Sequence, residues 1–162
     1  MVAQSMGGIK RERVDADCRL MHDYFDDPPI YPYRYFRHRF HMGTELFKYI
    51  AEAVKLRDTL FEQRRNAASL LAHSTFQKVN LALCMMSYGI PADIVYENMA
   101  MGESSAILCI KRFDVAIVEV FGEEYLRVPN AQDTTRVLVS NAAGEFPGML
   151  GSIDCMNWRW KN

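Results

Sequence analysis

The sequence predicts a mainly α-helical protein, a helical bundle with a helix-turn-helix, followed by one short strand. Apolar residues recur at three- and four-residue spacing through most of the chain, which is the period of one helix face. Residues that begin helices and glycines that end them bracket one segment after another. The last apolar run, "MLGSIDC", is shorter and lies between turn residues, so it predicts a buried strand. We therefore expect about six helices and a lone strand.

The bulk composition excludes several classes of protein. With 162 residues, 49% hydrophobic and 24% charged, the chain is globular and of ordinary domain size. The net charge of -1 gives no overall field for a nucleic-acid partner, although residues 31–80 carry nine Lys and Arg against four Asp and Glu. The chain has neither a signal-peptide core nor the run of roughly 18 apolar residues that a membrane helix needs. These features predict a soluble intracellular protein of the nucleus or cytoplasm, without a membrane partner.

The N-terminal segment predicts one helix and then a rigid arm. Residues 14–25 have helical spacing, and Pro28, Pro29 and Pro32 prevent the helix from continuing. We take residues 1–30 as an N-terminal arm that contains this short helix.

Two helices follow in the predicted helical domain, which spans residues 31–145. The first covers about 44–57. The second begins at Ser74, because Ser74 and Gln77 have the S-x-x-Q spacing of a capping box, and it ends at Gly89 in a left-handed cap.

The remaining helices are a short one that opens at residue 91, a long one and a final one. The long helix is predicted from Ser104 as its N-cap to Gly122. Its apolar stripe consists of Ala106, Ile110, Phe113, Ile117 and Val120. The final helix is capped by Asn130, with Asp133 at the third position and Gly144 at its far end.

Residues 91–113 have the layout of a helix-turn-helix, a short helix, a turn with glycine and a second helix begun by serine. In such a unit the first two turns of the second helix face the DNA. The residues placed there are Ser104, Ser105, Leu108, Cys109, Lys111 and Arg112. Only two of them are basic, which is poor for neutralising phosphates. The pattern alone therefore favours helix packing or oligomerisation over DNA reading.

The segment "YPYRYFRHRFH", residues 31–41, interleaves aromatic and basic side chains. A nucleic-acid-binding segment would have this pattern, with its aromatic rings stacked on bases and with Arg37 and Arg39 bound to phosphates. The alternative is that Phe36 and Phe40 dock the segment on the bundle while the arginines face water. Because these two residues are four apart and point the same way on a helix, the pattern favours docking.

Asp154 closes the predicted strand of residues 149–155. By pattern alone an aspartate there is a turn former more often than a metal ligand. A lone strand cannot satisfy its own backbone donors and acceptors, so it is expected to belong to a sheet that these residues do not supply.

Six motifs, taken together and in order, resemble Harbinger-type transposases and the nuclease-like proteins derived from them. They are "YFRHRFHM", "QRRNAA", "QKVNLALCMMSYG", "MGESSA", "FGEEYLRVPN" and "FPGMLGSIDCMNW". The resemblance implies a helix-turn-helix region followed by a ribonuclease H-like α/β domain with a DDE acidic triad. Residues 146–162 match the start of that domain, and Asp154 matches its first catalytic acid.

The resemblance also implies a cofactor, because the complete family domain binds Mg²⁺ or Mn²⁺ through its carboxylates. Asp154 is the metal-binding and catalytic match here, and no Asp or Glu is found among the eight residues that follow it. Asn157 stands where the family usually has histidine. We therefore expect a truncated and inactive nuclease domain that binds no metal by itself.

Three hypotheses for function follow. The first is a transposase relic whose helical region binds double-stranded DNA or a partner. The second is a metal-dependent endonuclease, if the chain is part of a longer product. The third is an interaction module that pairs with a full-length relative, a Myb-like protein or another copy of itself.

Overall fold

The computed structural model describes residues 13–65, 69–89 and 99–152, and these residues are mainly helical, as predicted, with no strand among them. The six α-helices in these ranges are α1 (Arg13–Tyr24), α2 (Tyr33–Phe40), α3 (Thr44–Arg57), α4 (Thr75–Tyr88), α5 (Glu103–Tyr125) and α6 (Ala131–Ala143), with a short 3-10 helix at Thr59–Phe61. The chain divides into two compact units, Met1–Gly122 and Glu123–Asn162.

Helix α4 is the centre of the first unit, because every residue from Gln77 to Cys84 is buried. A cluster of aromatic rings packs beside it. Phe47 is 0% exposed and meets the rings of Phe36, Phe40 and Phe76 at centroid distances of 5.7, 5.3 and 5.8 Å. Such offset and edge-to-face contacts add to the gain from burying apolar area.

The predicted helix boundaries are confirmed for α3 and α4. Helix α3 spans Thr44–Arg57. Both halves of the α4 capping box form, since Ser74 accepts a hydrogen bond from the Gln77 backbone N–H and the Gln77 side chain accepts one from Ser74 N–H. Gly89 adopts φ 59°, the left-handed conformation that glycine reaches without strain.

Helix α1 is part of the first unit's packing. Its residues Ala16 and Leu20 are buried. The Ser74 hydroxyl donates a hydrogen bond to Asp17, and the Gln77 amide donates one to the Arg13 carbonyl. The first predicted helix is therefore confirmed, and polar contacts anchor it to the start of α4.

Residues 33–40, in the segment that interleaves aromatic and basic side chains, form helix α2. Phe36 and Phe40 are each 1% exposed, so the prediction that they dock this segment on the bundle is confirmed. The helix ends at His41, which has a φ of 56°. The Tyr88 hydroxyl donates a hydrogen bond to the Arg39 carbonyl at 2.8 Å, which satisfies an acceptor that the helix end leaves open.

Helix α5 begins and ends outside its predicted limits. Glu103 is already helical, and the Gly102 carbonyl accepts hydrogen bonds from Ser105 and Ala106 N–H, so Ser104 is not the N-cap. The helix also continues through Gly122 to Tyr125. Its buried stripe consists of Ala106, Cys109, Phe113 and Ala116. The predicted stripe is therefore correct at Ala106 and Phe113. At the other positions the smaller residues Cys109 and Ala116 are buried where larger apolar residues were predicted.

Helix α6 lies in the second unit, and its capping box between Asn130 and Asp133 is confirmed on both sides. Gly144 is its C-cap. Residues 149–152 have no strand assignment, and the remainder of the predicted strand lies outside the described residues. Most of the first helix of the predicted helix-turn-helix, residues 91–100, also lies outside them, because residues 90–98 are not described. No described helix combines the length and apolarity needed to cross a membrane.

Candidate nucleic-acid interface

A cleft of about 530 Å³ lies beside the N-terminal half of α5, and we call it the α5 cleft. One wall is formed by Ser105, Leu108 and Arg112, which are spaced so that they share one helix face. The opposite wall is formed by residues 58–62 around the 3-10 helix and by His73. The face that the sequence predicts to point toward DNA is therefore the face that lines this cleft.

Lys78, in the first turns of α4, also lines the α5 cleft. It is only 6% exposed, and its Nζ donates a hydrogen bond to the Glu62 carbonyl at 2.9 Å. Burial lowers the pKa of Lys78, and the neighbouring Arg64 lowers it further. A buried ammonium that lines an open cleft is a strong attractor for an anion, because few water molecules screen it.

Arg112 crosses the cleft to meet Asp58. Its Nε donates to Asp58 Oδ2 at 2.6 Å, while Asp58 Oδ1 accepts from Leu60 N–H at 2.9 Å. The hydrogen bond from Arg112 lowers the pKa of the Asp58 carboxyl and raises that of the Arg112 guanidinium. Arg112 keeps 55% of its side chain exposed, so its remaining N–H groups can reach a ligand.

Arg64 lies on the rim of the cleft, where its Nε and Nη2 both donate to Glu62 Oε2 at 2.8 and 2.6 Å. The segment around it is folded back on itself, since Ala72 N–H donates to the Arg64 carbonyl and Arg65 Nη1 donates to the Ser69 carbonyl. This turn holds the arginine beside the cleft. The cleft thus has three cationic side chains, Arg64, Lys78 and Arg112, against two carboxylates.

Buried polar contacts fix the floor of the cleft. His73 is 9% exposed, and its Nε2–H donates to the Ala100 carbonyl at 3.0 Å. The next residue, Met101, is 1% exposed and lines the cleft. The His73 contact therefore positions the chain directly before α5.

Cys109 is a correction to the predicted surface, because it is 3% exposed and lies at the base of the cleft. Its thiol contacts the Met101 sulfur at 3.9 Å. Burial raises the pKa of Cys109 to about 11, so the side chain is a neutral thiol at physiological pH. It packs as a small apolar residue and does not present a nucleophile.

The other predicted contact residues of α5 are exposed, namely Ser104, Ser105 and Lys111. Ser105 lines the cleft. A long helix presents unpaired N–H groups and partial positive charge at its N-terminus, which favours an anion there. The first turn of α5 is thus suited to contact a phosphate.

The two arginines predicted on α2 have different surroundings. Arg37 is exposed. Arg39 is half-buried, with Nη1 donating to the Tyr24 hydroxyl at 3.2 Å and its guanidinium 5.7 Å from the centroid of that ring. Arg37 is therefore available to a ligand, whereas Arg39 mainly holds α2 against α1.

The predicted catalytic and metal-binding residue, Asp154, lies outside the described residues. Within the described ranges, no group of three or more His, Cys, Asp and Glu side chains could hold a metal ion. A Mg²⁺ or Mn²⁺ site therefore cannot be built from the described residues alone.

Sequence reasoning did not single out Lys78, His73 or Arg64 as residues of the site. A signal for Lys78 was present, because it is the one charged residue in the helix segment "TFQKVNLALCMMSY". A single lysine in an otherwise uncharged, buried helix indicates either a paired charge or a ligand site. The positions of His73 and Arg64 depend on the turn at residues 64–72, which has no sequence signature.

Two parts of the chain match known protein families. Residues 17–55, within α1 to α3, match a family described as a domain of unknown function, DUF8418. Residues 123–162 match the family described as plant transposon protein. No curated protein and no solved structure matches the chain.

The second match supports a transposase-derived origin for the chain. It begins at Glu123, which is also the first residue of the second compact unit. It runs through α6 and includes the stretch that contains Asp154.

Proposed function

We propose that this chain is a Harbinger-type, transposase-derived protein whose helical region binds double-stranded DNA through the α5 cleft. The observation that carries the proposal is the lining of the cleft, where the α5 face of Ser105 and Arg112 lies opposite the buried Lys78. Cationic side chains around a cleft bind the phosphate backbone and orient the protein on it.

Three further features support DNA as the ligand. Lys111 and Arg37 are exposed cations outside the cleft. Residues 31–80, which contribute Arg64 and Lys78 to the cleft, hold the chain's local excess of positive charge. The match to the plant transposon family adds an ancestry in which DNA is the natural partner.

Binding of a short fluorescent duplex, followed by anisotropy, tests the proposal. If three or four phosphates are contacted, affinity falls about a hundredfold between about 50 and 200 mM salt. A Lys111→Gln variant is expected to reduce the slope of log affinity against log salt concentration by the equivalent of about one phosphate contact. Lys48→Gln is the matched control, because Lys48 is an exposed helix lysine paired with Glu45 and does not line the cleft. Absence of binding at low salt, or a flat salt response, would refute DNA binding.

A second candidate function is that of a metal-dependent DNA endonuclease in a longer product. The family match includes the stretch that contains Asp154, and the resemblance to Harbinger-type transposases would make this residue the first acid of a DDE triad. Phosphodiester cleavage by two metal ions requires several carboxylates, and these 162 residues supply one match to the triad. We therefore propose that this chain alone contains an incomplete and inactive nuclease domain.

An assay for nicking of supercoiled DNA in Mg²⁺ or Mn²⁺ distinguishes an inactive nuclease domain from an active one. The 162-residue chain is expected to leave the DNA intact, and Asp154→Ala to change nothing. Cleavage by the chain that disappears in Asp154→Ala would show that the domain is active and overturn the proposal of an inactive one. A longer product with two further acids is expected to cleave, with Asp154→Ala abolishing the reaction.

The third candidate, an interaction module, is favoured by exposed apolar side chains on the first unit. Leu56, Val115 and Val118 are 85, 55 and 56% exposed. The Arg57–Glu119 ion pair at 2.8 Å brings the end of α3 and the middle of α5 together beside them. A second copy, a full-length relative or a Myb-like protein would cover this surface. Light scattering at increasing concentration tests self-association, and a monomer throughout would exclude the second copy.

A further inference from the structure

The Lys78 ammonium in the α5 cleft has N–H groups that donate no hydrogen bond to the described residues. An ammonium has three N–H donors, and Lys78 donates one of them, to the Glu62 carbonyl. Among the described residues no carboxylate forms an ion pair with it. Holding this charge at 6% exposure is unfavourable without a compensating anion, which is why burial lowers its pKa.

The surroundings of Lys78 are arranged for an anion and not for a cation. The two carboxylates of the cleft, Asp58 and Glu62, are each engaged by an arginine at 2.6 Å. Among the described lining residues, Arg64, Lys78 and Arg112 stand against Asp58 and Glu62, so these five side chains together carry one positive charge in excess. The first turn of α5, which adds partial positive charge, lies on the same cleft.

The shape of this donor set selects among anions. The lining of the cleft includes three side chains with N–H or O–H donors for an anion, the Lys78 ammonium, the Arg64 guanidinium and the Ser105 hydroxyl. A tetrahedral phosphate has enough oxygens to accept a hydrogen bond from each of the three, whereas a planar carboxylate presents only two oxygens in one plane. A cleft of about 530 Å³ also has room for a phosphate with its sugar.

We propose that the α5 cleft is a phosphate-binding site in which the Lys78 ammonium contacts the phosphate from the floor and Arg64 and Ser105 contact it from the rim. The inference rests on the proposed function only for the source of the phosphate, which under that function is the DNA backbone. A free phosphomonoester has the same chemistry, and the experiment separates the two.

The test follows the side-chain carbon-13 and nitrogen-15 resonances of Lys78 in the full chain by NMR. Inorganic phosphate, adenosine monophosphate and a short duplex are added separately at constant ionic strength, with chloride as the reference anion. Phosphate is expected to shift the Lys78 resonances and to raise the pKa of Lys78. The other titratable groups of the cleft, whose resonances are followed as well, are Asp58, Glu62, Arg64, His73, Cys109 and Arg112.

Variants establish whether Lys78 itself is the ligand. Lys78→Met is expected to weaken phosphate binding about tenfold or more, the effect of losing one hydrogen bond to a charged group. Lys48→Met, which removes the same charge outside the cleft, is expected to bind phosphate as the parent chain does. If circular dichroism shows that Lys78→Met is unfolded, Lys78→Arg replaces it. Phosphate binding that is kept in a folded Lys78→Arg chain would support a cationic contact at this position, and loss of that binding would contradict the proposed contact.

The outcomes separate this inference from the proposed function. A duplex that binds without moving the Lys78 resonances would overturn the phosphate site and leave DNA binding intact. Phosphate that shifts Lys78 while the duplex does not bind would support the site and contradict DNA binding, and adenosine monophosphate then identifies a free phosphomonoester as the ligand class. No shift with any of the three probes would refute the inference.

Discussion

The two compact units of this chain are stabilised in different ways. In the first unit, helices surround α4, and side chains such as Phe47, Val54 and Val79 have no exposed surface. In the second unit, helix α6 has no buried residue. Helical stability in proteins usually comes from tertiary packing of an apolar face, so the first unit follows the rule and α6 depends on local contacts.

Local contacts lie at both ends of α6. At the C-terminal end, Asn141 Nδ2 donates to the Met149 carbonyl at 2.7 Å. At the N-terminal end, the contacts involve Asp133. Asn130 and Asp133 form the reciprocal capping box, and both Nη atoms of Arg127 donate to the Asp133 carboxylate, at 2.5 and 3.0 Å. Each such contact contributes about 1 kcal/mol or less, whereas one buried aromatic side chain contributes several. We therefore expect core substitutions to lower the stability of the first unit strongly. Cap substitutions should lower the stability of α6 by a smaller amount.

The largest effect is expected from Phe47→Ala. This change removes a ring that is 0% exposed and contacts four other rings, so it should cost about 3–5 kcal/mol of the first unit's free energy of unfolding. Urea denaturation measures the loss. The control Leu46→Ala, at a position 49% exposed, should cost less than about 1 kcal/mol. Amide exchange in α6 should not respond to Phe47→Ala; a matching loss there would break the distinction between the units.

A smaller effect is expected from Arg112→Gln, which leaves the nearly buried Asp58 carboxylate without its guanidinium. Because Arg112 is more than half exposed, solvent screens the pair and the loss of stability at neutral pH should be modest. The pair holds the pKa of Asp58 below its ordinary value of 3.8. Its contribution is therefore fully present above pH 3.8 and is lost as the pH falls below that value.

Urea titrations of the parent chain and Arg112→Gln at several pH values check this expectation, because the difference between them should shrink in acid. Lys55→Gln is the matched control, since it breaks an ion pair with Glu52 in which both partners are substantially exposed and Lys55 does not act on the pKa of Asp58. It should cost less than Arg112→Gln. Equal costs would mean that the burial of Asp58 adds nothing to its ion pair.

The local stabilisation of the second unit is tested by Asn130→Ala. Loss of the N-cap should cost α6 about 1 kcal/mol, because the Asp133 N–H loses its acceptor and the capping box is broken. Exchange of the α6 first-turn amides should accelerate about fivefold. Gln132→Ala, an exposed change in the same turn, is the control and should have little effect. Unchanged exchange in Asn130→Ala would show that the cap does not stabilise the helix.

The smallest effect is a pH response confined to α6. The hydrogen bond from Arg127 lowers the pKa of Asp133 to about 2, below the ordinary 3.8. The contribution of Asp133 is therefore present above pH 3.8 and disappears as the pH falls through about 2. Carboxyl NMR titration checks the value, and Arg127→Gln should raise it. A pKa near 3.8 in the parent chain would contradict the Arg127–Asp133 pairing.

Much of the local structure was predictable from the sequence, whereas much of the candidate site was not. The capping boxes at Ser74 and Asn130 and the cap at Gly89 depend on contacts between residues three or four positions apart in the chain. The exposed positions Ser105 and Arg112 also followed from helical spacing. The partners that turn this face into a cleft did not, because Asp58 is 54 residues from Arg112 in the chain.

The sequence by itself determined that the chain is helical, where several helices begin and end, and a resemblance to transposases that the family match at residues 123–162 supports. These features depend on contacts within a turn or two of helix, or on motifs read directly in order. Only the tertiary structure decided that Cys109 is buried, that Arg112 pairs with Asp58 and that Lys78 lines a cleft. Burial and charge pairing join residues far apart in the chain, and periodicity specifies a face without specifying what covers it.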